Sequence, residues 1–114
     1  MGKSQRTKGA AWEREVAIRF REAMPGAEIR RNLQSQGGAA VGNDLVVPMF
    51  GIECKAGKLP NPRAALDQAV RDACKDLYPV AVIKDDRKPP FVAMRLDHFL
   101  EMVAEWWRET QREP

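Results

Sequence analysis

The amino-acid sequence predicts a single α/β domain, a mixed central β-sheet flanked by helices in the order α-β-β-β-α-β-β-α. Three observations predict it. Apolar residues recur at helical spacing in three separate stretches. Short strand-like apolar runs lie between them, punctuated by Gly, Pro, Asn and Asp. A strand-helix-strand step in the middle of the chain calls for a parallel, right-handed crossover. The 114 residues suffice for one core. With 44% hydrophobic and 31% charged residues, the chain reads as globular and not as disordered. It has no run of about 18 apolar residues, so no membrane span is expected.

Taken in order, the first helix is expected over Thr7 to Ala23. Trp12, Val16 and Phe20 form a stripe at i, i+4 and i+8, and Pro25-Gly26 stops it. Residues 1–6 are read as a flexible basic N-terminal arm and 7–112 as the folded domain. AEIRRNL (27–33) reads as a short strand, and QSQGGAAVGN (34–43) as a loop. DLVV (44–47) and GIECK (51–55) read as two strands joined through Pro48, Met49 and Phe50. AGKLPNP (56–62) is a further loop. Asn61 makes an N-cap with Pro62 in the first helical position. The stripe of Leu66, Ala69, Val70, Ala73, Cys74 and Leu77 carries that helix to about Leu77. PVAVIK (79–84) is a buried strand, DDRKPP (85–90) a turn and FVAMR (91–95) the returning strand. Asp97 caps a last helix through Leu100, Val103, Trp106 and Trp107, with both tryptophans assigned to core or interface.

Cys54 and Cys74 are too few for a disulfide scaffold and lack metal-type spacing, so they are expected as reduced, packed thiols. His98, the lone histidine, is expected in a structural or solvated role. The segment MGKSQRTKGAAWERE has no apolar signal core, and Arg6 stands where a myristoylation signal requires Ser or Thr. A cytoplasmic location is therefore expected. The formal charge is +3. Lys3, Arg6 and Lys8, then Arg14, Arg19, Arg21, Arg30 and Arg31, form a basic series that suits a phosphate backbone or a solvated face.

The chemistry concentrates in GNDLVVPMFGIECKAGK, residues 42–58. Residues two apart on a strand share a face, so Glu53 and Lys55 project together. Folding DLVV against GIECK with Pro48-Met49 at the tip sets Asp44 directly opposite Glu53. Opposed side chains have Cβ atoms about 4.5–5.5 Å apart. Two carboxylates so close repel unless a cation sits with them, and a hard divalent ion takes oxygen ligands. An ordinary salt bridge to Lys55 would use the same residues. In the catalytic reading, Lys55 contacts a scissile phosphate or orients water, and the arrangement suits metal-assisted phosphodiester hydrolysis.

These residues stand in a wider pattern. Lys8-Gly9-Ala10-Ala11-Trp12-Glu13-Arg14-Glu15 opens the first helix. Arg30-Arg31 follow on a strand, then a loop with Ser35 and Gly37-Gly38, then Asp44-Leu45 and Ile52-Glu53-Cys54-Lys55. In this the chain resembles the PD-(D/E)XK nuclease superfamily, and within it the archaeal-type and phage Holliday junction resolvases, over roughly residues 7–83. The resemblance implies a restriction-endonuclease-like fold, with residues 7–112 as the nuclease domain. It implies Glu13, Asp44, Glu53 and Lys55 as catalytic residues. Asp44, Glu53 and the Cys54 backbone carbonyl would be metal ligands, with Glu13 a further candidate. Lys8, Arg14, Arg30, Arg31 and Ser35 would contact DNA, and Gln68 on the following helix would support the site. The implied cofactor is Mg²⁺, with Mn²⁺ able to substitute. The implied partners are branched DNA, four-way junctions above all, and a second copy in a homodimer, in DNA recombination and repair. The loop before Asp44 and the segment after Lys55 depart from the resolvase pattern. The alternatives are another small nuclease of the superfamily, for nicking, repair or restriction, and a DNA-binding module without catalysis.

Overall fold

The computed structural model describes residues 3–32 and 42–112, with side chains from Lys8 onward. Eight elements follow the predicted order: α1 (Lys3–Ala23), β1 (Arg30–Arg31), β2 (Leu45–Val47), β3 (Phe50–Gly57), α2 (Pro62–Asp72), β4 (Tyr78–Asp85), β5 (Phe91–Ala93) and α3 (Leu96–Thr110). They build one five-stranded sheet in sequential order, β1-β2-β3-β4-β5. β3 and β4 run parallel and every other neighbour pair is antiparallel. The parallel pair needs the α2 crossover, because a tight hairpin can join only antiparallel strands.

Helices cover both faces of the sheet. Trp12, Val16 and Ala17 of α1 pack on the face carrying Leu45, Val47, Ile52, Cys54, Val80 and Val82. Ala65, Leu66 and Ala69 of α2 pack on the other face, against Ala81 and Ile83. Alternation along β4 makes this possible, since Val80 and Val82 turn one way and Ala81 and Ile83 the other. The Trp12 indole N–H also donates to the Val82 carbonyl at 3.1 Å, which fixes α1 along the sheet.

Several boundaries differ from the sequence expectation. α1 begins at Lys3, so residues 3–6 of the expected arm have helical backbone. The strand expected over 27–33 is reduced to Arg30–Arg31. α2 ends at Asp72, although the apolar period continues to Leu77. Ala73 leaves the helix with ψ 136° and Asp76 takes φ 79°, the turn that returns the chain to β4. Cys74 therefore lies exposed and not packed. Asn61 does cap α2, accepting from the Ala64 N–H at 3.1 Å. On α3 the cap position is Arg95, with no side-chain capping bond, and Asp97 stands inside the first turn. Trp106 and Trp107 are 62% and 57% exposed, which excludes the core as their place.

Candidate active site

The hairpin of β2 and β3 creates the site. Its register pairs Leu45 with Ile52, Val46 with Gly51 and Val47 with Phe50, and one step further Asp44 faces Glu53. Pro48 and Met49 make the two-residue tip, and Met49 takes φ 84°, a strained conformation for a side chain larger than glycine. The Met49 carbonyl accepts from the Tyr78 N–H at 2.8 Å, tying the tip to the start of β4.

Asp44 stands just before β2, and two contacts hold it. Its carboxylate accepts from the Cys54 backbone N–H at 2.9 Å. Its neighbour Asn43, 1% exposed, donates its side-chain amide to the Ala69 carbonyl of α2 at 3.2 Å. Gly51 leaves the room Asn43 needs, since a methyl group there would collide with the Asn43 side chain. Sequence reasoning misses Asn43 because it closes a loop of small polar residues. A buried asparagine needs tertiary partners that no local pattern reveals.

Glu53 is 3% exposed, and its Oε1 is buried without a hydrogen-bond partner among the described residues. Burial and then the Asp44 charge push its carboxyl up to about 8. Lys55 opposes this, while the hydrogen bond with Asp44 and the charge of Asp72 add to it. At neutral pH Glu53 thus keeps its proton even with Lys55 beside it. Glu53 pairs in register with Ala81, and Lys55 with Ile83, so both stand on the α2 face of the sheet.

Glu13 of α1 joins the same negative field. Its carboxyl is pushed up by burial and by Asp44, and pulled down by Arg31. Arg31 Nη2 lies 3.4 Å from Glu13 Oε1, both side chains about three-quarters buried. The Cys54 thiol is pushed far up by burial and then by Asp44, Glu13 and Glu53, against the pull of Arg31. It is a neutral thiol, not a nucleophile.

The remaining predicted residues are scattered by comparison. Lys8 pairs with Asp86 at 3.3 Å, both half-exposed. Arg14 is exposed on α1, and Gln68 is half-buried on α2. Arg30 lies 3.6 Å from Glu28 in an exposed pair, which contributes little. Arg30 and Arg31 do line a depression of about 240 Å³ together with Asn32, Gly42, Asn43, Val46 and Cys74. Ser35 and most of the 33–43 loop lie outside the described residues. Arg19 and Arg21 are engaged locally, with Glu15 and the Ile29 carbonyl.

Among the described residues no cluster of three or more His, Cys, Asp or Glu side chains is arranged to hold a metal ion. What fits a hard cation is narrower: two apposed carboxylates, one with a buried oxygen lacking a partner. Such an ion would complete its shell with backbone oxygen and water.

The model of one protein family, described as "Phage putative PDDEXK endonuclease", matches residues 4–113. The chain belongs to this family. The match embraces α1, the hairpin and α3, so it covers every element that positions the carboxylates. The superfamily assignment drawn from Asp44 and Glu53-Cys54-Lys55 agrees with it. No curated protein and no solved structure matches the chain.

Proposed function

We propose that this chain is a divalent-metal-dependent endodeoxyribonuclease, and more narrowly a Holliday junction resolvase that works as a homodimer. The observation that carries the nuclease reading is Glu53, buried opposite Asp44 with an oxygen that has no partner among the described residues. Leaving a buried polar group unmet costs about 1–3 kcal/mol, so a resident ligand is the economical explanation. Family membership supports DNA as the substrate. The junction preference rests on the resemblance of the helix, loop and hairpin motifs to the resolvases.

In this reading Asp44, Glu53 and the Cys54 carbonyl hold Mg²⁺, or Mn²⁺ in its place. The chemistry supplied by the bound ion is polarisation of a phosphoryl oxygen and a lowered pKa for a coordinated water. Asp44 is oriented for its role by the Cys54 N–H and by the anchored Asn43. Glu13 adds a carboxylate from α1, and Arg31 holds Glu13 in place while offering its guanidinium to a phosphate. Lys55, on the Glu53 face, contacts the scissile phosphate. Arg14, Arg30, Lys8 and Ser35 bind the backbone, and Gln68 supports the site from α2. Two copies related by a two-fold axis provide the paired, symmetric incisions a four-way junction requires.

The deciding experiment is cleavage of end-labelled four-way junction and linear duplex, with and without Mg²⁺. Paired incisions on the junction, at least about tenfold tighter junction binding, and loss of cutting in Glu13→Gln with binding retained are the expected results. Equal affinity for both DNAs with scattered nicks would leave a general nuclease. Binding without any cutting in Mg²⁺ or Mn²⁺ would leave a binding module. Replacing Arg30 and Arg31 by Ala should lower the slope of log affinity against log salt by about 0.9 for each phosphate no longer neutralised.

A further inference from the structure

A surface helix of a globular protein normally turns its apolar stripe to the core. α3 does the reverse. Leu96, Phe99, Leu100, Val103, Trp106 and Trp107 recur on one side of the helix, all are exposed, and no residue of α3 is buried. The opposite, polar side faces its own domain. His98 stacks on Tyr78 with ring centroids 5.3 Å apart, and the Tyr78 hydroxyl donates to Glu101 at 2.8 Å. A cleft of about 590 Å³ lies between the helix and Met49 and Tyr78, lined on the α3 side by Met102, Glu105 and Trp106 among others. The orientation of α3 is thus set by polar contacts that point its apolar side into water.

We propose that this stripe is the self-association surface of the protein, and that α3 pairs antiparallel with α3 of a second copy. Area is the first reason. The six side chains leave on the order of 600 Å² exposed, the upper end of what a monomer shows in one patch. Two such stripes would bury on the order of 1,200 Å², the lower bound of a stable interface. Charge is the second reason. Asp97, Glu101 and Glu105 load the first two-thirds of α3 with negative charge, while in its last turn Arg108 and Glu109 balance. Parallel pairing would set the two acidic stretches side by side, whereas antiparallel pairing sets each acidic stretch beside the second copy's neutral end. The apolar sequence agrees with a two-fold axis near Met102. With the axis between Met102 and Val103, Phe99 meets Trp106 and Asp97 meets Arg108 of the second copy, while Leu100 and Val103 flank the axis. The proposal supplies the surface for the homodimer named above. Its test reads mass and not cleavage, so it can fail without the nuclease reading and stand without it.

The test is sedimentation equilibrium of the full chain at tens of micromolar, with far-UV circular dichroism as the folding check. The unchanged chain should be a dimer. Leu100→Glu with Trp107→Glu should be a monomer with an unchanged spectrum, since both side chains are exposed in the single chain. Asp97→Arg should weaken the dimer at least about tenfold, and Asp97→Arg combined with Arg108→Asp should recover it. That charge exchange decides the matter if the glutamate variant fails to fold. A monomeric unchanged chain, a dimer indifferent to the stripe variants, or an exchange that recovers nothing would each overturn the proposal. So would a monomer that instead captures a different protein or a lipid vesicle through this stripe.

Discussion

At the β2–β3 hairpin a carboxylate is buried where an apolar side chain would ordinarily sit. On α3 two tryptophans stand in water where charges would ordinarily sit. Glu53 is 3% exposed and Trp106 62%. The two regions depart from the same rule in opposite directions, and each departure has a cost that the isolated chain does not recover. Glu53 keeps its proton up to about pH 8 because burial and Asp44 disfavour its charge. α3 exposes about six large apolar side chains because Tyr78 and Glu101 hold its polar side inward. On the proposals made above, both costs point outward: to a cation and DNA at one end, and to a second copy at the other. They differ in reversibility. A proton can stand in for the cation, but nothing within the described chain stands in for a cover over α3.

The largest expected effect breaks the hairpin side of the comparison. Asp44→Asn and Glu53→Gln should each lower Mg²⁺-dependent cleavage more than about a hundredfold, because even outer partners of a metal are worth about ten- to a hundredfold. Junction binding, measured by gel shift at fixed salt, should be nearly unchanged. Full cleavage by either variant would end the metal reading of this pair.

Stability against pH gives the next effect, and its sign is specific. Glu53 has a folded-state pKa raised to about 8 from 4.5. Between those values the unfolded chain has lost the proton and the folded chain still holds it. Stability is therefore greatest below about pH 4.5 as far as this group is concerned, and falls as pH rises towards 8. The expected loss is on the order of a few kcal/mol. Glu53→Gln should flatten that slope and be the more stable protein at pH 8 in EDTA. Adding Mg²⁺ at pH 8 should raise the melting temperature of the unchanged chain and not that of Glu53→Gln. Parallel melting curves for the two proteins from pH 5 to 8 would mean that Glu53 is not buried as described.

Gly51→Ala probes the support beneath the site. The added methyl collides with Asn43, which anchors the start of β2 to Ala69 of α2. Overpacking of this kind costs about 1–3 kcal/mol, read as a lower denaturant midpoint. Cleavage should fall as well, because Asp44 follows Asn43 directly. Unaltered stability would show that Asn43 can move aside.

How much of the molecule is legible in its sequence follows the same division. The order of all eight elements can be read, because strand and helix periods differ and Pro25-Gly26, Asn61-Pro62 and Pro89-Pro90 punctuate them. The facing of Asp44 and Glu53 can be read too, since a two-residue tip and a period of two leave little freedom. The end of α2 cannot. Ala73, Cys74 and Leu77 satisfy a helical period, yet the chain must turn after Asp72 to bring Tyr78 beside Phe50. Asn43 is hidden because its partner, Ala69, lies 26 residues away. The stripe on α3 is plain in the sequence, but a stripe reports that one side is apolar and not what covers it. Only the Tyr78 contacts reveal that this side faces away from the domain.

The smallest effect sharpens the α3 side. Tyr78→Phe removes the hydroxyl that donates to Glu101 and keeps the ring that stacks on His98. Tyr78 begins β4 and its backbone N–H holds the hairpin tip through Met49, a bond the substitution leaves intact. Amide exchange should therefore quicken across Leu96–Thr110 while β3 and β4 remain protected, because removing one exposed hydrogen bond loosens a neighbouring helix without opening the sheet. The same bond has a pH limit. Its donation to Glu101 raises the Tyr78 phenol above its usual 10, so the bond persists through pH 10 and is broken only at higher pH. Exchange in α3 of the unchanged chain should approach that of Tyr78→Phe only in this alkaline range. If exchange in α3 is already fast at neutral pH and indifferent to the substitution, Tyr78 does not set the direction in which the helix faces.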